Sequence, residues 1–376
     1  MNSVSQDTLE RQTPVRIDAV DALRGLAVVL FFATTSGARC VFALPESDWV
    51  DVLRTQLRPS AWHGLTLADL CFPAFLFAAG ASLALSFDRR ARNGGTRIGF
   101  VKRSLWRAAG LYAVGFVSDN VGFAFELRLT WTGPLPQLAG CVVIGGIAAA
   151  CARTWRALLP LCVALLAAYG GLLAWCPVPG TAEGRYGFDS NLATLIDGRL
   201  LPGIKFFGGW DPHGLLTTIP TAAMLLGGLT AGTFLLQQRE RAHPRTFGLA
   251  VAGLVCVNVS VLLHQVQPSN PHMATPAFAL AAIGVSLFAF AGLMGGEHAA
   301  VCARGALPLR VLGRNSLLAV ILISTVPLRV LSDFLIGGDV ALALGGAAPV
   351  VRMLVELAAV FLPVWVLYWR HVFLTL

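Results

Sequence analysis

Charge is what this sequence has least of. Only 13% of its 376 residues are charged against 56% hydrophobic, and the mean hydropathy is +0.70. A chain so poor in charge cannot clothe a soluble surface, which excludes an ordinary water-soluble domain. Paired cysteine is missing as well. Cys40, Cys71, Cys141, Cys151, Cys162, Cys176, Cys256 and Cys302 are scattered, with no CxxC pair and no Cys/His metal spacing, so neither a bound metal nor a disulfide framework is expected. No small-x-small cleavage site follows the first apolar run, so that run is read as a retained helix. Internal repeats and low-complexity tracts are absent, and no inverted pair of broken helices is visible, which argues against the usual plan of a secondary transporter.

What is present is hydrophobic length, enough for about ten spans of ~20 residues each. The fold class expected is all-α, a polytopic transmembrane bundle of about ten helices. One domain covers 17–376, after a polar tail, 1–16, read as disordered and cytoplasmic. Apolar runs place the spans at 20–38, 64–87, 103–123, 135–151, 155–175, 214–236, 246–264, 275–296, 311–330 and 350–369. The net charge of +8 reads as a positive-inside bias and not as a nucleic-acid surface. With the N-terminus inside, the inner segments carry 16 Lys and Arg and the outer segments 9. Both termini are then cytoplasmic, and the long loops 39–63 and 176–213 lie outside. With neither a long luminal domain nor a targeting signal preceding the spans, a bacterial inner membrane is the expected location.

The polar residues fall into two groups. On the outer side, the stretch WHGLTLADLCFPAFLFAAG from Trp62 to Gly80 begins polar and carries Asp69 into an apolar run. A carboxylate costs ~2.5 to 3.5 kcal/mol at the bilayer centre on insertion scales, so it is expected to face a wet interior and to serve a function there. His63 and Thr66 share a helical face, whereas His63 and Asp69, six apart, do not, so a polar mouth is expected and not a dyad. Asp211 and Pro212 suit an N-cap and first helical position, with His213 beside them and Thr217 and Thr218 one turn on. His264 and His272 read as solvated loop residues. On the inner side, Asp21 and Arg24 are spaced to pair, and Arg314 and Asn315 open the ninth helix. With Arg97, Lys102, Arg103 and Arg107 they form a basic mouth suited either to a phosphorylated donor or to lipid headgroups.

Four segments in order, VDALRGLAVVLFFA (20–33), AWHGLTLADLCFPAFLFAAGASLALS (61–86), WDPHGLLTTIPTAAMLLGGLTAG (210–232) and LGRNSLLAV (312–320), resemble the signature segments of the heparan-alpha-glucosaminide N-acetyltransferase family. NPHMATPAFALAAIG (270–284) is similar to a further, weaker segment. The resemblance implies a multi-helix enzyme that takes an acetyl group from cytosolic acetyl-CoA and passes it to a sugar amine across the membrane. It also marks departures. The histidine taken as catalytic in the family stands three residues before the tryptophan of W-x-G-L-T, where this chain has Pro59. A family asparagine near the end of the first helix is matched by Thr35, and DPEG reads DPHG, with His213 in place of the acid.

The expected function is transfer of an acetyl or other acyl group from acyl-CoA to an amine or hydroxyl of a sugar-containing acceptor. His63 is the expected base, with Asp69 and His213 also catalytic. Trp62, Thr66 and Asp211 are expected to line the acceptor side, and Asp21, Arg24, Arg107, Arg314 and Asn315 the acyl-CoA side. The expected partners are acyl-CoA, a glycoside or amino-sugar acceptor and membrane lipid, with no metal; a homodimer is left open. The alternative is a transporter or channel built on an inactive acyltransferase scaffold, in which Asp21, Arg24 and Asp69 couple or gate.

Overall fold

Glycine, not bulk, decides where the helices of this protein cross. The computed structural model describes residues 18–120, 129–176, 185–238, 242–296 and 306–373. The tail 1–16, and Arg128, Arg239, Arg241 and Arg304 of the charge count, lie outside them. The helices are α1 (Asp18–Phe42), α2 (Asp48–Gln56), α3 (Cys71–Arg92), α4 (Arg97–Asn120), α5 (Pro134–Cys151), α6 (Trp155–Trp175) and α7 (Leu192–Leu200). There follow α8 (Thr218–Gln237), α9 (Ala242–His264), α10 (Pro276–Gly296), α11 (Leu307–Arg314), α12 (Ser316–Thr325), α13 (Leu328–Leu335), α14 (Gly338–Leu344) and α15 (Ala348–Trp369).

The centre is the crossing of α3 with α8. Gly80 of α3 lies against the Leu225 carbonyl and Gly228 of α8 against that of Phe77, so closely that a Cβ at either would overlap the opposite backbone. Between lipid-facing helices this close approach replaces the hydrophobic effect, because lipid tails are as apolar as the core. Leu76, Phe77, Leu225, Leu226 and Leu229 are buried around it. A second reciprocal crossing joins α1 to α11, Gly25 against Leu309 and Gly313 against Asp21. It brings the acidic first turn of α1 beside Arg310, which pairs with Asp18 at 2.8 Å.

The bundle agrees with the expected class and differs in detail. Eight described helices are long and apolar enough to cross a membrane, and α11 with α12 pass the same test only when taken together. That pair is bent by 79° at Asn315, so the straight span expected at 311–330 is instead broken. α4, where a further span was expected, is 24 residues long. Arg97, Lys102, Arg103 and Arg107 in its first three turns make it too polar to count by composition alone. The helix expected from 214 begins at Thr218, and the outer loops contain α2 and α7. α1 changes pitch at Ala33–Gly37, a π-helical turn. There the Thr34 hydroxyl donates to Phe31 O at 3.0 Å and that of Thr35 to Phe31 O at 2.9 Å. Such turns recur at functional sites, and Thr34 faces the cavity described next.

Candidate active site

α3 runs from Cys71 to Arg92 and α4 returns from Arg97 to Asn120 after a tight turn. Arginines therefore gather at one end of the pair, and the start of α3 meets the finish of α4 at the other, ~30 Å away at 1.5 Å per residue. A cavity of about 1060 Å³ reaches both ends. Its arginine end is lined by Arg24, Arg89, Arg90, Arg103, Arg107 and Arg314, and its far end by Asp69, Phe72, Asp119, Pro134 and His213. Between them the walls are apolar, from Phe75 of α3, Leu138 and Val142 of α5 and Leu317 and Val320 of α12.

At the arginine end Arg314 is held from three sides. Its Nε lies 3.5 Å from Asp21 Oδ2, and its guanidinium carbon is 4.8 Å from the Tyr368 ring centre and 5.6 Å from that of Phe373. Asn315 is buried at the helix break and donates from Nδ2 to Val372 O at 3.2 Å. Asp21 thus meets Arg314 of another helix, and its charge also acts on Arg24, the partner expected on its own helix. Arg107 reaches Ser86 Oγ at 3.5 Å. Six guanidinium groups against one local carboxylate leave this end strongly positive.

The histidine end is built on loops. Asp211 does not cap a helix as expected, because α8 starts seven residues later. Its Oδ1 accepts from His213 N at 2.8 Å, closing an Asx turn, and its Oδ2 accepts from Thr132 Oγ1 at 2.8 Å and Phe206 N at 3.0 Å. Asp197, fully buried, accepts from Leu215 N at 3.1 Å and Asp211 N at 3.4 Å. Burial first, then Asp211, raise its pKa to about 6 against these hydrogen bonds. The turn so fixed aims His213 at the cavity, where Phe72 meets its ring edge-on at 5.1 Å. His213 Nδ1 lies 2.8 Å from Gln137 Oε1 on α5. Burial lowers its pKa to about 4, over the opposing pull of Asp211 and with a further push from His272, so at neutral pH the ring is uncharged.

The other expected residues separate. Asp69 stands in a 3-10 turn just before α3, at the start of the apolar span Ala68–Arg92 and on the cavity wall, as expected. It accepts from Thr66 N at 2.9 Å, Thr66 Oγ1 at 3.0 Å and Ser60 N at 3.2 Å, tying down the loop ahead of the helix. His63 is exposed beyond that loop in a second pocket of about 640 Å³, with Arg54, Arg58, Ser60 and Thr66. Burial and His264 lower its pKa. Trp62 is enclosed by aromatic rings, stacked on His272 at 5.7 Å and edge-on to Trp210 at 5.8 Å, and donates to Tyr186 O at 2.7 Å. His272, expected in solvent, is part of that cluster and meets Ser60 O at 3.0 Å. Gln137, Thr132 and Asp119 were not among the expected site residues. A lone amide inside the apolar run PLPQLAG was the available signal for Gln137.

No family model matches the chain. It is similar to heparan-alpha-glucosaminide N-acetyltransferase of Homo sapiens, 24% identical over 281 residues, which is 61% of this chain and 40% of that protein. The Mus musculus protein of the same name is 23% identical over 318 residues, 70% of this chain and 46% of its own. The chain is thus similar to two proteins that are named heparan-alpha-glucosaminide N-acetyltransferase. It spans less than half the length of these two. Among the described residues no group of three or more His, Cys, Asp and Glu side chains is arranged to hold a metal ion.

Proposed function

We propose that this protein is a membrane acetyltransferase that binds acyl-CoA at the arginine end of the cavity and delivers the acyl group to a sugar amine or hydroxyl at the histidine end. The observation that carries the reading is the continuity of one cavity between six arginines and a neutral, oriented histidine. Arginines suit the phosphates of a CoA headgroup through paired, charge-assisted hydrogen bonds. The apolar middle suits a pantetheine arm laid along α12 and α5, with the thioester at the far end. Arg24, Arg107, Arg314 and Asn315 are the donor residues in this reading, with Asp21 holding Arg314. Membrane orientation follows the charge bias, with the arginine end cytoplasmic.

In the reaction the acceptor nitrogen or oxygen attacks the thioester carbonyl carbon while His213 takes the acceptor's proton. The tetrahedral intermediate collapses by breaking the C–S bond, and the proton passes to the departing CoA sulfur. A neutral imidazole is the form a base requires. His213 takes the role first expected of His63, because it lines the cavity and His63 does not; His63, with Thr66, then belongs to the outer approach. Trp62 and Asp211 shape the acceptor end indirectly, through the loop core and the 211–217 turn.

The test is purified protein in detergent with radiolabelled acetyl-CoA and a panel of amino sugars and glycosides. Labelled sugar is the expected result. Uptake of the same sugars by proteoliposomes without any acetylated product would replace the enzyme by a carrier.

A further inference from the structure

His213 has two ring nitrogens, and only one of them faces a protein partner among the described residues. Nδ1 lies 2.8 Å from Gln137 Oε1. Gln137 is buried, and its Nε2 donates to Thr217 Oγ1 at 3.1 Å. The buried Thr217 hydroxyl in turn donates to Gly214 O at 3.2 Å. The direction of this chain is set at its far end. A main-chain carbonyl only accepts, and Gly214 O takes the hydroxyls of both Thr217 and, at 2.8 Å, Thr218; with its proton given there, Thr217 accepts from the amide nitrogen of Gln137. That leaves Gln137 Oε1, an acceptor, against Nδ1. The ring nitrogen must therefore carry a proton, and in a neutral imidazole Nε2 then keeps its lone pair.

We propose that Gln137 is a positioning residue that holds His213 as the Nδ1–H tautomer, so that Nε2 alone is offered to a proton donor in the cavity. This rests on the reading of His213 as the base and adds what makes it one. A histidine in the opposite tautomer would present an N–H to the acceptor and could not take its proton. The relay is also local to the site: Gln137 comes from α5 and Thr217 from the residue before α8, while Gly214 belongs to the same turn as His213. The turn is thus latched to α5 through the atoms that select the tautomer.

Among the described residues, the charged and titratable groups around His213 and its turn are Asp211 on the turn itself, Asp197 of α7 beneath it, Asp119 at the end of α4, Asp69 ahead of α3 and His272 from the 265–275 loop. Gln137 is neutral, so replacing it by glutamate adds one carboxylate to this set and favours the imidazolium. Gln137→Glu should keep the Nδ1–H tautomer and move the acid limb of the turnover profile to higher pH by about one to three units. Gln137→Leu should lower turnover by about 10- to 100-fold, within the range of general-base contributions.

The direct measurement is nitrogen NMR of the protein carrying labelled histidine, with His213 assigned by its loss in His213→Gln. The wild type should show a protonated Nδ1 and a bare Nε2 near neutral pH, and Gln137→Leu should lose that preference. Should Gln137→Leu not fold, Thr217→Val cuts the same relay one link further out and should mix the tautomers. A wild-type spectrum with the proton on Nε2, or an unchanged tautomer in both Gln137→Leu and Thr217→Val, overturns the proposal. Full turnover in His213→Gln beside the expected wild-type spectrum would instead remove His213 as base and leave the role of Gln137 in the tautomer intact.

Discussion

At the arginine end of the cavity the polar groups project from helices and carry full charges, whereas at the histidine end Asp211, His213 and Thr217 stand on a turn that Gln137 of α5 and Asp197 of α7 hold by hydrogen bonds. Arg89, Arg90, Arg103 and Arg107 project from α3 and α4 with few protein partners. Asp211, Asp197, Thr217 and Gln137 are buried and satisfied. The contrast separates two tasks. Binding a charged headgroup calls for long cationic side chains that lose little by waiting in a wet cavity. Proton transfer calls for one ring held in one orientation, which only a supporting shell of satisfied polar groups supplies.

The largest expected effect tests the histidine end. His213→Ala should lower turnover by about 10² to 10⁴ with donor affinity unchanged, the usual weight of a general base. Equal losses in affinity and turnover would dissolve the division of labour. The pH profile comes next. Because burial lowers His213 to about 4, the neutral form persists from neutrality down toward that value, and turnover should fall about tenfold per unit below it. A limb centred near 6.5, the ordinary histidine value, would point away from His213.

Smaller effects test the arginine end and the outer loop. Arg314→Ala should raise the Kd for CoA by about tenfold, the loss of roughly 1.4 kcal/mol from a charge-assisted contact, read by calorimetry. Asp69→Ala removes the acceptor for Ser60 N and Thr66 N and should cost about 1 to 2 kcal/mol of stability, as loss of a cap does. Thermal unfolding of the two proteins compares them. Smallest of all, His63→Ala should change turnover by less than about threefold, since an exposed side chain outside the cavity has no proton to take there. A loss as large as that of His213→Ala would return the base to the outer pocket.

The helices were legible because hydrophobic length speaks for itself: nine of the ten expected runs appear as single helices, and the tenth is the pair broken at Asn315. That break was not legible, since RNSLLAVILIST reads as continuous apolar sequence, and the bend comes from packing of α11 on α1 through Gly25 and Gly313. The two polar ends were legible as composition, arginines together and histidines with aspartates together. Which histidine faces the cavity was not. His63 precedes a span and His213 precedes a span, and only the Asx turn at Asp211, set by Thr132 from another loop, aims one of them inward. Asp69 was legible in its place but not in its bonding. It lies in the span and on the cavity wall as its sequence position suggests, but both its oxygens are taken up by Ser60 and Thr66 of the loop ahead of the helix.

The central claim is that one cavity carries an acyl group from the arginine end to the histidine end, and sealed vesicles of known orientation test it most directly. With labelled acetyl-CoA confined to the side of Arg89 and Arg90 and the acceptor sugar only on the side of His213, labelled sugar should accumulate on the acceptor side, and His213→Ala should abolish it. Labelled sugar formed only when donor and acceptor share one side would contradict transfer through the cavity.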